Sequence, residues 1–271
     1  MVEVEVDHGK FTRSVPSRVG NIPVKTVPKR ENSLNGCTVD IYENPVPGGL
    51  QIGTATNSNG KYSFGTTFGA VSKGGTRYMM TVAHIWDACQ SDPLGKQAYI
   101  QRHPIGTVQG YNSAADYLIV SPGSKTFSGN VQYPDGYSYP IGGWFTGTGV
   151  ANLIYQASTV HKIGVTTGME SGTVFGDRAS YDPTCINFDG YGVNSTCVTA
   201  DGDSGGPIFQ KDSNDLIWMI NSDTYGSGNA GTMNCGGNTV QKYSQVRGTA
   251  FYHLHNSYGF TTGTTGTSST K

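Results

Sequence analysis

The sequence predicts an all-β protein of short strands, closed by one C-terminal helix. Two observations carry that expectation. Glycine accounts for 39 of 271 residues while charged residues make up only 14%, a composition that suits tight turns between short strands better than long amphipathic helices. The apolar residues also fall in brief runs bounded by Gly, Asn and Ser clusters, at the spacing of β-barrel strands. A chain of this length can bury the core of one large β domain or two small ones.

Residues 1–36 carry mixed charge and several prolines without apolar periodicity, so they read as an arm or pro-segment remnant outside the fold. From Cys37 onward, strands are expected at Cys37–Tyr42, Phe68–Val71, Tyr78–Val82, Gln97–Gln101, Tyr117–Val120, Val150–Tyr155, Gly172–Phe175, Pro207–Gln210 and Leu216–Ile220. Val246, Phe251 and Leu254 fall on one face of a helix over about 244–257, which Tyr258-Gly259 would stop. Residues 261–271 read as a flexible Thr/Gly/Ser tail.

Several classes of function lose support. A net charge of −1 offers no basic field for nucleic acid. No apolar stretch has the length of a membrane span, and Met1 to Lys10 lacks the apolar core of a signal peptide. The five cysteines, Cys37, Cys89, Cys185, Cys197 and Cys235, form no CxxC pair and no metal-ligand spacing with histidine, so disulfides with one thiol left over are expected, and neither metal nor cofactor. His253 and His255 stand two apart on the expected helix, where their side chains diverge. Asn194-Ser195-Thr196 is a glycosylation sequon, a pattern that most often stays unmodified. The low charge and the tail composition suit a secreted, extracellular chain.

The strongest chemical signal is Asp201-Gly202-Asp203-Ser204-Gly205-Gly206-Pro207, followed by an apolar hairpin. A glycine-rich turn is the bland reading. The chemical one is a nucleophilic serine whose Oγ stands on a tight turn with backbone N–H groups aimed at a developing oxyanion. Such a serine needs a base. Tyr78 to His84 is an apolar strand ending in a histidine, which puts an imidazole at a barrel rim, and Ile85 to Ala88 read as a short helical turn. Asp116 opens the apolar strand Tyr117–Val120, where its buried carboxylate would require a hydrogen-bonded partner. Asp87 and Asp92 compete for that role but lie close to His84 and precede no apolar strand.

The order His84, Asp116, Ser204 separates this set from the subtilisin and α/β-hydrolase orders. With Thr81-Val82-Ala83-His84 and Asp203 to Pro207, the chain resembles the chymotrypsin-like serine proteases from about Gly65 to Phe260. His161 to Gly168, Ser171 to Val174 and Asn256 to Phe260 resemble the bacterial α-lytic protease and streptogrisin branch. The resemblance implies two antiparallel six-stranded β-barrels, at about 37–135 and 136–243, within a domain spanning 37–260. It implies a monomeric endopeptidase acting on protein or peptide, with Gly202 and Ser204 N–H groups as the oxyanion hole. It further implies an ion pair between Lys162 and Asp203, a substrate-bordering Ser222 that touches the aspartate, and a Cys197–Cys235 disulfide. The family's cysteine after the histidine is Ile85 here, so its usual clip is absent or replaced by Cys89. In this family the residue six before the nucleophile forms the pocket base; here it is Val198, with no carboxylate, so the resemblance implies cleavage after uncharged residues, unless Asp223 turns inward. A protease-fold binding module and a serine esterase are the alternatives.

Overall fold

The computed structural model describes residues 2–6, 18–19, 22–28, 44–55, 63–100, 103–179, 185–235, 237–263 and 267–269, in two compact units, 1–33 and 34–271. The first unit holds β1 (Val2–Val6), β2 (Arg18–Val19) and β3 (Ile22–Pro28); β3 pairs parallel with β1 and antiparallel with β2. The arm expected here therefore carries strands of its own, and the Val/Glu alternation of β1 is the pattern that supplies them.

The second unit begins with β4 (Val46–Gly48), β5 (Gln51–Gly53), β6 (Phe64–Thr66), β7 (Gly69–Lys73), β8 (Thr76–Thr81), β9 (Gln97–Ile100), β10 (His103–Asn112) and β11 (Tyr117–Pro122). It continues with β12 (Phe127–Gln132), β13 (Ser138–Phe145), α1 (Gly147–Tyr155), β14 (Thr159–Gly164), β15 (Gly168–Ala179), β16 (Gly192–Ser195), β17 (Thr199–Ala200), β18 (Pro207–Lys211) and β19 (Ile217–Ser222). Last come β20 (Tyr225–Ser227), β21 (Thr232–Cys235), β22 (Asn238–Tyr243), β23 (Gln245–Thr249), α2 (Phe251–Tyr258), β24 (Thr261–Thr262) and β25 (Thr267–Ser269). One curled sheet runs β24-β7-β8-β11-β10-β9-β5-β6 and the other β20-β23-β16-β15-β14-β18-β19-β13-β12-β4. This is the expected double-barrel, all-β fold. Each sheet path exceeds six strands because short edge strands, such as β6 and β24 on one and β4 and β20 on the other, extend it.

Two apolar clusters fill the sheets, and several strands feed both. Successive side chains of a strand point to opposite faces. On β11, Leu118 and Val120 enter one core while Tyr117 and Ile119 enter the other; Met79 and Met80 on β8, and Ala70 and Val71 on β7, divide the same way. The continuous apolar run Tyr117–Val120 is thus a strand buried on both faces.

Two expected elements differ. Val150–Tyr155 is not a strand but part of α1, whose N-cap Thr146 accepts a hydrogen bond from Gly149 N at 3.1 Å and whose buried Val150 and Leu153 lie three apart. The C-terminal helix begins only at Phe251: Gln245–Thr249 is β23, where Gly248 passes so close to Ser222 O that no Cβ would fit. The strand expected at Cys37–Tyr42 lies outside the described residues.

Candidate active site

Strand β8 delivers His84 to the start of a short 3-10 turn, His84–Trp86, whose Ile85 and Trp86 are buried. Asp116 ends the turn before β11 at φ 47°. Thr249 Oγ1 donates to Ala115 O, and Asn112 Oδ1 accepts from Ala115 N at 2.8 Å, so both sides of this bend are pinned. The Asp116 side chain is fully buried. Its Oδ1 accepts from Ala83 N (3.0 Å) and His84 N (2.9 Å), and Oδ2 lies 2.8 Å from His84 Nδ1. That pairing fixes the ring's tautomer and leaves Nε2 as the basic atom. Burial opposes protonation of His84, but the charge and hydrogen bond of Asp116, helped by Asp223 and Asp87, outweigh it and hold the imidazole pKa above its ordinary value.

Ser204 stands on a turn bent by Gly202 (φ 96°) and Gly205 (φ 93°), conformations that side chains with a Cβ rarely adopt. A Cβ on Gly205 would lie 2.2 Å from Thr66 O. The turn is tied down on every side. Asp203 N donates to Ala200 O (3.0 Å), Gly206 N to Asp203 O (2.9 Å), Gly205 N to Asp223 O (2.6 Å) and Thr66 N to Ser204 O (2.7 Å). His84 and Ser204 line one open cavity of about 360 Å³, together with Thr199, Asp201, Asp223 and Tyr243.

Beneath the turn lies a buried charged cluster in which Lys162 and Asp203 have no exposed side-chain surface and Asp223 only 2%. Lys162 Nζ is 2.7 Å from Asp203 Oδ2 and 3.5 Å from Asp223 Oδ2. It also donates to Thr167 Oγ1 at 3.0 Å. Burial disfavours the ammonium, yet the two carboxylates more than offset it and raise the Lys162 pKa. Asp223 bonds to the Thr199 hydroxyl, and burial, the largest influence, lifts its carboxyl to about 6.

The structure departs from the expected site at three places. Cys197 is a buried free thiol and Cys235 is disulfide-bonded to another residue, so these two are not partners. Cys89 is joined to Cys185, 96 residues downstream, so this bond ties the histidine loop to a later segment and is not the family's clip, whose partner would precede the histidine strand. Thr199, not Val198, lines the cavity, because the backbone of β17 pairs Thr199 with Tyr243 across the pocket wall. Ser222 is buried opposite Pro207 and gives Asp116 no hydrogen bond among the described residues; its neighbour Asp223 reaches the cavity instead. Thr66 was not singled out by the sequence, yet its Oγ1 donates to Gly202 O (3.0 Å) and accepts from Val165 N (3.1 Å). No sequence signal marks it beyond its place on a strand. The sequon residue Asn194 is buried in β16.

No protein-family profile and no curated protein matches the sequence. Solved structures do. Nocardiopsis protease (NAPase) is similar at a TM-score of 0.56 and 19% identity, covering 82% of this chain and 100% of its own. Cellulomonas bogoriensis chymotrypsin (0.55, 20%, covering 81% and 99%) and Thermobifida fusca protease A (0.55, 18%, covering 81% and 98%) match to the same degree. The chain has the chymotrypsin-like fold of these bacterial proteases.

Proposed function

We propose that the protein is a serine endopeptidase in which His84, Asp116 and Ser204 form the catalytic triad. The observation that carries this is the His84 imidazole, locked by a buried carboxylate at 2.8 Å, on the rim of the cavity that Ser204 lines from the opposite sheet. The neighbouring folds, all named as proteases or chymotrypsin, support the same reading.

In this reading His84 Nε2 takes the Ser204 proton as Oγ attacks a peptide carbonyl, and Asp116 stabilises the imidazolium that forms. Gly202 and Ser204 N–H groups donate to the oxyanion, each such donor contributing about 3–4 kcal/mol to the barrier reduction. His84 then returns the proton to the leaving amine, and water releases the acyl group by the same route. Lys162 and Asp203 hold the turn in shape. Substrates are proteins or peptides, the working form is a monomer, and the disulfide-bonded Cys89, Cys185 and Cys235 favour an oxidising, extracellular compartment.

The test is casein hydrolysis alongside a simple ester, with labelling by an uncharged organophosphonate. Ser204→Ala should abolish all three, with a rate loss on the order of 10⁶. Ester turnover without casein turnover would favour an esterase. Retention of more than about a tenth of peptidase activity in Ser204→Ala would refute the triad.

A further inference from the structure

We infer that Asp223 makes the cavity a receptor for a cationic side chain, Arg or Lys, on the residue preceding the cleaved bond. This rests on the endopeptidase reading and reverses the preference expected from Val198.

The argument begins with a charge count in the buried cluster. Among the described residues Lys162 is its one cation, against the carboxylates of Asp203 and Asp223. They do not share it equally. Asp203 takes the ammonium at 2.7 Å and is further satisfied by Thr166 N (2.8 Å), Thr167 N (3.0 Å), Thr167 Oγ1 (2.6 Å) and Ala200 N (3.1 Å). Asp223 is left with the long 3.5 Å approach and the Thr199 hydroxyl. The cluster therefore carries one uncompensated negative charge, on the carboxylate that faces the cavity and not on the one sealed behind it.

A second carboxylate, the exposed Asp201, stands on the same wall. Among the described residues His84 is the one cavity-lining group that can become cationic, and it must be neutral to act as base. An apolar side chain entering this space would leave Asp223 with no partner beyond the 3.5 Å approach of Lys162 and the Thr199 hydroxyl. A guanidinium or ammonium would add a charge-assisted hydrogen bond to it, and the rings of Tyr225 and Tyr243, which also line the cavity, suit a planar cation. Burial already strains the ionised carboxyl, lifting it to about 6, so a bound cation relieves a cost that the site otherwise carries.

The experiment compares two chromogenic peptides that differ only in Arg or Leu before the leaving group, in wild type and in Asp223→Asn. Arg should be preferred in kcat/KM by about tenfold or more in wild type, and Asp223→Asn should lower that Arg-to-Leu ratio about tenfold or more. Because the variant could fail to fold, wild-type protein is also titrated with benzamidine and with neutral benzamide, and benzamidine should compete more tightly. Cleavage of the Leu peptide equal to or faster than that of the Arg peptide, or equal inhibition by benzamidine and benzamide, overturns the inference while leaving the endopeptidase standing. An Arg preference that survives Asp223→Asn and disappears in Asp201→Asn would also overturn it. Failure to cleave either peptide, together with no organophosphonate label on Ser204, would instead bring down the endopeptidase reading and this inference with it.

Discussion

Replacing Lys162 by methionine keeps most of the side-chain volume and removes only the charge. The lost contacts are the 2.7 Å bond to Asp203, the 3.0 Å bond to Thr167 Oγ1 and the 3.5 Å approach to Asp223. Asp203 retains four other donors, but Asp223 loses its cation, and two carboxylates, one of 0% and one of 2% side-chain exposure, face each other without compensation. Breaking a buried pair by removing one partner costs about 3–5 kcal/mol, so Lys162→Met should lose that much in urea unfolding at pH 8. Adding Asp203→Asn should return part of the loss. Without the ammonium, the Asp223 carboxyl, already lifted to about 6 by burial, loses the charge that opposes that lift and rises further above its unfolded value. A raised carboxyl costs stability once pH exceeds its unfolded value, so the deficit should shrink as pH falls from 8 to 5. Because Asp203 anchors the turn through Ala200 and Gly206, peptidase activity should fall even where the variant is folded. A loss under about 1 kcal/mol, or a deficit that grows on acidification, would refute the reasoning.

Other outcomes follow from the same geometry. The kcat/KM of the wild type should rise with pH through one ionisation centred above 6.5, because Asp116 favours protonated His84; a buffer series with its midpoint at or below 6.5 would contradict this, and Asp116→Asn should move the midpoint down. Cys89→Ser should cost about 2–5 kcal/mol in denaturant unfolding, since the bond to Cys185 closes a separation of 96 residues. Cys197 is fully buried and its thiol is pushed up to about 11 by burial, so a thiol reagent should find it unreactive in the native protein and reactive in denaturant; rapid native labelling would count against its placement.

The double barrel was legible because its strands are short apolar runs, and even the unbroken run Tyr117–Val120 makes sense once its alternate residues are seen to serve two cores. His84 and Asp116, placed at strand ends by sequence, do meet at 2.8 Å. Helix α1 was missed because Val150–Tyr155 is too short for its period to be read against a strand; the informative residue was Thr146, a capping side chain one position ahead of the helix. The Cys197–Cys235 pairing came from resemblance, and chain order does not encode which sulfurs meet. An inward turn of Asp223 was visible in the sequence only as the alternative to a Val198 pocket base. A register shift between Ile208 and Phe209 interrupts the β18–β19 ladder just before this point, so counting alternate residues along the strand does not show which side chain faces the cavity.

Thr66 has a consequence of another kind. It belongs to β6, in the sheet that carries His84, yet its amide, its hydroxyl and its carbonyl together hold or closely abut Ser204, Gly202 and Gly205 of the opposite sheet. The Ser204 turn is thus shaped by a strand it does not belong to. On the proposed triad, a nascent chain with one barrel formed would have a serine on an untethered loop and no base beside it, and hydrolysis would begin only when the halves dock. Active-site labelling during refolding would then time barrel docking, lagging any probe that reports on either sheet alone, and a half-folded molecule would be unable to attack its own unfolded neighbours.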